Sequence, residues 1–216
     1  MTLLSKIISF YSTWILGLCA ATVLWFGWRP SPIQPVVLLV ILYLVPPLTF
    51  QLHRIFFPIK KSLSNLSERK YSPWWGAHQI QVIYTAIPQL EAALRLVPGL
   101  YSAWLRLWGS RIGSQVYWTP NVEITDRHLL DIGSRVVCGH KCKFLGHAIK
   151  PRGPEGREMA LYTRTIKIGN DVFIGAGSRI GPGAMIADGI FLPVLTDVHI
   201  NEVIELTPCS EQPATF

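Results

Sequence analysis

Charge is scarce in this chain: of 216 residues, 20 are Lys or Arg and 13 are Asp or Glu, 15% in all, against 50% apolar. Such a chain either hides a large apolar core or lies in a membrane. Sulfur is scarce too. There are four cysteines, and only Cys138 and Cys142 are near neighbours, so no dense disulfide framework is encoded and all are expected to stay thiols in a reducing compartment. No nucleic-acid recognition module accompanies the formal charge of +7, which excludes nucleic acid as an expected partner and points to an anionic membrane surface or to phosphate groups. No small-x-small cleavage site follows the first apolar run, and Leu18 does not suit a lipoprotein-type signal before Cys19.

What is present begins with two apolar runs, Ile7 to Trp28 and Val36 to Phe57. Each supplies the roughly 20 helical residues that cross a hydrocarbon layer of ~30 Å. Residues 1–61 are therefore expected to form a retained transmembrane hairpin turning at RPSPIQP. The turn holds only Arg29, whereas Arg54, Lys60, Lys61, Arg69 and Lys70 crowd the exit of the second run and Lys6 precedes the first. That bias places both ends in the cytoplasm, as in a multi-pass protein of a bacterial-type inner membrane with its remaining domains on the cytoplasmic side.

Residues 62–110 mix apolar residues with Gln, Glu and Arg. Pro88 and Pro98 divide them into three short helical pieces, since proline suits a helix's first turn but not its interior. Tyr71, Trp74, Trp75, Tyr101, Trp104 and Trp108 supply amphipathic rings of the kind that favour the headgroup level. The segment is expected to be amphipathic helices at the bilayer surface; an ordinary helical core would use the same apolar faces.

From Ile168 the chain divides into sixes, IGNDVF, IGAGSR, IGPGAM, IADGIF and LPVLTD. Upstream, IGSQVY, WTPNVE and ITDRHL run from Ile112, two extra residues intervene, and IGSRVV, CGHKCK and FLGHAI run from Ile132. Ile132 and Ile168 keep a common phase across the interruption. A strand short enough to turn a corner within six residues points its first residue inward, and three such strands close one triangular coil. Residues 111–203 thus read as a small solenoid of about four coils with an inserted loop at 148–165, and residues 204–216 as a tail. In this phase Cys138 and Cys142 point inward as core thiols. The corner residue His140 cannot easily join them on one tetrahedral ion, so no metal is expected.

These hexads, above all IGNDVFIGAGSRIGPGAMI, resemble the hexapeptide-repeat acyltransferases. The resemblance implies a left-handed parallel β-helix, a homotrimer, and acyl-coenzyme A such as acetyl-coenzyme A as donor. The apolar runs, SPWWGAHQ and LRLWGSRIG further resemble membrane-bound relatives, including the transmembrane C-terminal regions of polylysine-type peptide synthetases. A histidine before an extended loop acts as general base in such enzymes, and His147 matches that placement, with His140 as the alternative.

On that resemblance, Lys150, Arg152, Arg157 and Arg164 of the loop, with Lys167 and Arg179, flank a thioester site and could hold the phosphates of coenzyme A or of a lipid. A solvated basic loop would look the same. Gly175, Ala176 and Gly177 leave room for a pantetheine arm near the backbone. His53, His78, His128 and His199 are read as structural or interfacial. The expected reaction is acyl transfer to a hydroxyl or amine of a membrane-associated acceptor: a glycolipid, a polysaccharide precursor or a peptide. Two alternatives stay open, a γ-carbonic-anhydrase-like metalloenzyme using His128, His140 and His147, and a non-catalytic membrane scaffold.

Overall fold

The computed structural model describes residues 2–59, 63–68, 70–152 and 158–205. Lys60, Lys61, Arg69, Arg157 and the tail from residue 206 lie outside the described residues. Among the described residues, seven helices occupy the first half: α1 Leu3–Ser9, α2 Tyr11–Trp28, α3 Gln34–Tyr43, α4 Val45–Phe56, α5 Pro73–Ala86, α6 Gln89–Arg95 and α7 Leu100–Leu107. Prolines sit in the first turn of α3, α4 and α5, where the missing N–H has no intrahelical partner to lose. Residues Tyr11–Trp28 and Gln34–Phe56 are each long and apolar enough to cross a membrane.

Pro88 and Pro98 separate α5, α6 and α7, but these helices do not present their aromatic rings at a surface. Trp74, Tyr101, Trp104 and Trp108 are buried in the protein's own core. Helix α5 packs against α1, α2 and α4, so it joins the apolar helices to the rest of the chain. Packing, rather than lipid, uses these rings.

The strands of the second half wind in sequence through three parallel sheets. The first face stacks β2 Arg111–Ile112, β5 Leu130–Ile132, β10 Ile166–Ile168, β13 Met185–Ile186 and β16 Val203–Ile204. The second stacks β3 Tyr117–Trp118, β6 Val137–Cys138, β11 Phe173–Ile174 and β14 Phe191–Leu192. The third stacks β4 Glu123–Ile124, β7 Lys143–Phe144, β12 Arg179–Ile180 and β15 Asp197–Val198. Ile132 pairs directly with Ile168, so the interruption leaves the phase intact.

The sixfold period is also written in the backbone. Gln115, Asn121, Arg135, Lys141, Asp171, Gly177, Gly183, Gly189, Leu195 and Asn201, the fourth residues of their hexads, all have φ between 55° and 77°. This left-handed conformation costs an ordinary side chain about 1–2 kcal/mol, and the corner repays it by turning the strand so that the next apolar residue enters the core. Cys138 and Cys142 are buried free thiols, and burial pushes the Cys138 thiol far above its ordinary range.

The outward residues differ by face. The third face carries charges, with Lys143 Nζ 2.8 Å from Glu123 and Arg179 paired to Asp197. The second face carries Tyr117, Val137, Phe173 and Phe191 in register. The rings of Phe173 and Phe191 stack at 5.0 Å.

The interruption forms a hairpin where the sequence suggests a loop. Strand β8, His147–Arg152, pairs antiparallel with β9, Glu158–Thr163, whose other edge takes β1, Leu63–Asn65. Met159, Leu161 and Thr163 alternate with Ala160 and Tyr162, a period-two pattern that a hexad frame does not isolate.

Candidate active site

Between β4 and β5 the corner is two residues too long for the hexad, and this bulge contains Asp126, Arg127 and His128. All three are buried. Arg127 Nε donates to Glu91 Oε1 at 2.6 Å, and Arg95 Nη2 donates to Glu91 Oε2 at 3.1 Å. Arg127 N donates to Gln81 Oε1 at 2.7 Å. Helices α5 and α6 thereby clamp the bulge and fix its neighbour Asp126.

Asp126 is 1% exposed and lies one coil from His147 at the same corner, between the third and first faces. His147 Nδ1 donates to Asp126 Oδ2 at 2.6 Å. Thr125 Oγ1 donates to the same oxygen at 2.8 Å, and Trp74 Nε1 from α5 donates to Oδ1 at 3.2 Å. Gly146 is required here, because a Cβ at that position would lie 2.7 Å from the Asp126 Cβ. The His147 ring is further framed by the Trp74 ring at 4.7 Å and the His78 ring at 5.8 Å.

Burial alone would raise the Asp126 carboxyl. The hydrogen bond from His147, with the charges on His147 and His128 and the Thr125 hydroxyl, overrides it and holds the pKa down at about 2. The carboxylate therefore accepts and His147 Nδ1 carries the shared hydrogen; when the ring is neutral, the lone pair that can take a proton is on Nε2. Burial instead lowers the His78 pKa, with Asp126 opposing it and His147 and Arg127 assisting.

A folded-state value near 2 against an ordinary 3.8 makes Asp126 a stability determinant. Its contribution is present above the unfolded value and is lost as pH falls through the folded one, about 2 kcal/mol in all. Unfolding of the wild type followed from pH 5 to pH 2 should show this loss, and Asp126→Asn should flatten that part of the slope. Parallel slopes would remove the dyad's claim on the carboxyl.

A groove of about 320 Å³ opens beside His147, lined by Leu145, Ala148, Arg179, Pro182, Asp197 and His199 among others. No family model and no curated protein matches the chain. Solved structures do match. A hexapeptide-repeat-containing acetyltransferase from Vibrio cholerae, complexed with acetyl-coenzyme A, is 15% identical over 58% of this chain and 82% of its own, at a TM-score of 0.37. A galactoside acetyltransferase in complex with coenzyme A is 18% identical over 52% of this chain and 72% of its own, at 0.34. A serine acetyltransferase from Neisseria gonorrhoeae in complex with serine is 16% identical over 96% of this chain and 83% of its own, at 0.23. All are remote, and the roles of residues rest on this chain's own geometry.

That geometry separates the residues singled out from sequence. His147 and Arg179 share the groove. Arg164 lies near the same corner, with Nη1 donating to Asn201 Oδ1 at 2.7 Å. Lys167 stands on the first face between Asp131 and Met185. His140 instead shares the corner between the second and third faces with Gly175, Ala176 and Gly177, its carbonyl accepting from Gly177 N at 2.8 Å. A Cβ at Gly175 would sit 2.3 Å from the Pro193 carbonyl carbon and oxygen, so glycine is needed there for the next coil to stack.

The three histidines nominated for a metal do not meet within one chain. Among the described residues no group of three potential ligands meets; His147 turns Nδ1 to Asp126 and His128 packs on Phe50 with ring centroids 4.7 Å apart. Sequence reasoning missed Asp126, Trp74 and the placement of His78. The available signal was the two-residue excess that follows ITDRHL, together with the four polar residues in a row, Thr125 to His128, inside that hexad.

Proposed function

We propose that the protein is a membrane-held acyltransferase of the left-handed hexapeptide-coil type. It moves an acetyl or other short acyl group from acyl-coenzyme A to a hydroxyl or amine at the cytoplasmic membrane face. The observation that carries this reading is the 2.6 Å bond between His147 and the buried Asp126, which leaves Nε2 free beside a groove.

The chemistry follows from that arrangement. The acceptor's O–H or N–H gives its proton to His147 Nε2 as the heteroatom attacks the thioester carbonyl. The tetrahedral intermediate collapses, the C–S bond breaks, and the imidazolium returns the proton to the departing thiolate. Asp126 fixes the ring's tautomer and stabilises the imidazolium. Arg179 in the groove and Arg164, whose N donates to Gly146 O, are exposed cations at this corner for the donor's phosphates, and Lys167 stands on the first face.

Two further elements support the setting. The apolar stretches Tyr11–Trp28 and Gln34–Phe56 suit a transmembrane hairpin, with the basic residues at its two ends favouring the cytoplasmic side. The aromatic column of the second face, where Phe191 is 68% exposed, suits burial between copies in a homotrimer.

Detergent-purified full-length protein should bind acetyl-coenzyme A and release its free thiol when a membrane extract supplies the acceptor. Absence of binding would leave the donor assignment without support and favour a scaffold.

A further inference from the structure

Helices α6 and α7 are amphipathic the wrong way round for water. Their polar side chains lie inside: Glu91 and Ser102 are buried, and the Tyr101 hydroxyl accepts from Arg95 Nη2 within the core. Their outward side is Ala92, Ala93, Leu96, Val97, Leu100 and Ala103, all exposed, with Leu96 at 83%. Among the exposed residues from Ala92 to Leu107, Arg106 alone is charged, and its guanidinium is turned back to the Ile112 and Gly113 carbonyls. A helix pair facing solvent carries its charges on the outer side, whereas one facing hydrocarbon turns them inward.

The elbow between the two helices also leaves little for water to do. Pro98 has no N–H, Leu96 N donates to Ala93 O, and Leu100 N donates to Val97 O. Gly99 makes the turn at a φ of 78°. Backbone donors paired or removed in this way are what a dry setting demands.

Contacts with the apolar stretch Gln34–Phe56 fix the level of this elbow. The Tyr84 hydroxyl donates to Leu42 O, Trp104 Nε1 donates to Tyr43 O at 2.9 Å, and the Tyr43 hydroxyl donates to Leu90 O at 2.9 Å. Leu42 and Tyr43 stand near the middle of that stretch, whose 23 residues rise about 34 Å as helix. Trp104 meets Tyr43 and Trp108 meets Phe50, so α7 advances toward Phe56 and its first residue, Leu100, lies at least as deep as Tyr43. A stretch that crosses a bilayer carries the elbow in with it. Charge agrees: Glu91 is the only acidic residue within α1–α7 and is buried, while Lys6, Arg54 and Arg106 are exposed, a balance that suits an anionic leaflet.

We propose that the α6–α7 elbow enters the hydrocarbon of the cytoplasmic leaflet beside α3 and α4, giving the solenoid a second hold on the membrane. The inference rests on the membrane-held reading of the hairpin and adds to it a part of the chain that caps the solenoid. Helix α6 also carries Glu91, which holds Arg127 next to Asp126, so the membrane contact and the corner of the base share one helix.

The test uses full-length protein in nanodiscs of phosphatidylcholine and phosphatidylglycerol, with a photoactivatable diazirine midway along an acyl chain of some of the lipid. Lipid adducts mapped by mass spectrometry are expected on Leu96 to Leu100 as well as on α2 and α3. In Val97→Asp, and independently in Leu96→Asp, the elbow adducts should fall roughly tenfold while those on α2 persist. Both positions are exposed, so neither change disturbs the core. Adducts on α2 and α3 with none on the elbow overturn the proposal and leave the hairpin standing; a second copy of the chain seated on the elbow would give that result. Elbow adducts undiminished in both variants overturn it as well. Adducts on none of these helices remove the membrane-held reading itself.

Discussion

His147→Ala is expected to lower acyl transfer by about 10²–10⁴-fold, the range a positioned general base supplies, with acetyl-coenzyme A binding unchanged. The separation of these readouts follows from position. His147 lies in a groove whose lining, apart from its neighbours Leu145 and Ala148, comes from later coils, so truncating the imidazole removes proton transfer and little donor contact. Asp126→Asn should lose activity by a different route. An amide can donate to Nδ1 as readily as accept from it, which permits the tautomer with hydrogen on Nε2 and no base. The rate should drop while the donor KM stays constant. A His147→Ala variant with wild-type turnover would overturn the base assignment and move attention to His140 at the neighbouring corner.

The second large effect concerns stability. Glu91→Gln should destabilise the fold by about 3–5 kcal/mol, the cost of leaving buried charge without its partner. Arg127 is 1% exposed, its Nε lies 2.6 Å from Glu91, and Arg95 bonds the same carboxylate. Two guanidiniums would lose their shared anion where water cannot replace it. Since one kcal/mol shifts the midpoint of a chain of this size by about 2–4 °C, thermal unfolding resolves the change easily. Replacing all three charges, Glu91→Leu with Arg95→Met and Arg127→Met, should recover much of the loss. A single variant within 1 kcal/mol of wild type would mean that water reaches the cluster.

Much of this was legible in the sequence because a hexad is a local code. The inward first residue, the buried fifth and the turning fourth are all set within six positions, so the phase of Ile132 and Ile168 predicted their pairing. The interruption was visible as a loss of pattern, yet its hairpin was not, because β9 finds partners both nearby in β8 and far away in β1. The candidate site divides in the same way. His147 is marked by its place before the interruption. Asp126 is held by Trp74 of α5 and His147 of β8 besides its neighbour Thr125, and Trp74 and Glu91 lie 52 and 36 residues from the groups they bond. No local spacing encodes such contacts. The aromatic residues of the helices pointed to a surface because composition does not distinguish a ring facing lipid from one facing a neighbouring helix.

The left-handed corners have a consequence for how such a chain can change length. Ile168 sits beneath Ile186, so removing those eighteen residues would return every later side chain to the face it already occupies. Removing only six would rotate the remainder by one face and bring the charged column into line with the aromatic one. Outside a corner that bulges outward, as at Asp126, changes of length that keep the faces aligned therefore come in whole storeys of about 4.8 Å, and variation in the coils beyond His147 alters the depth of its groove in such steps.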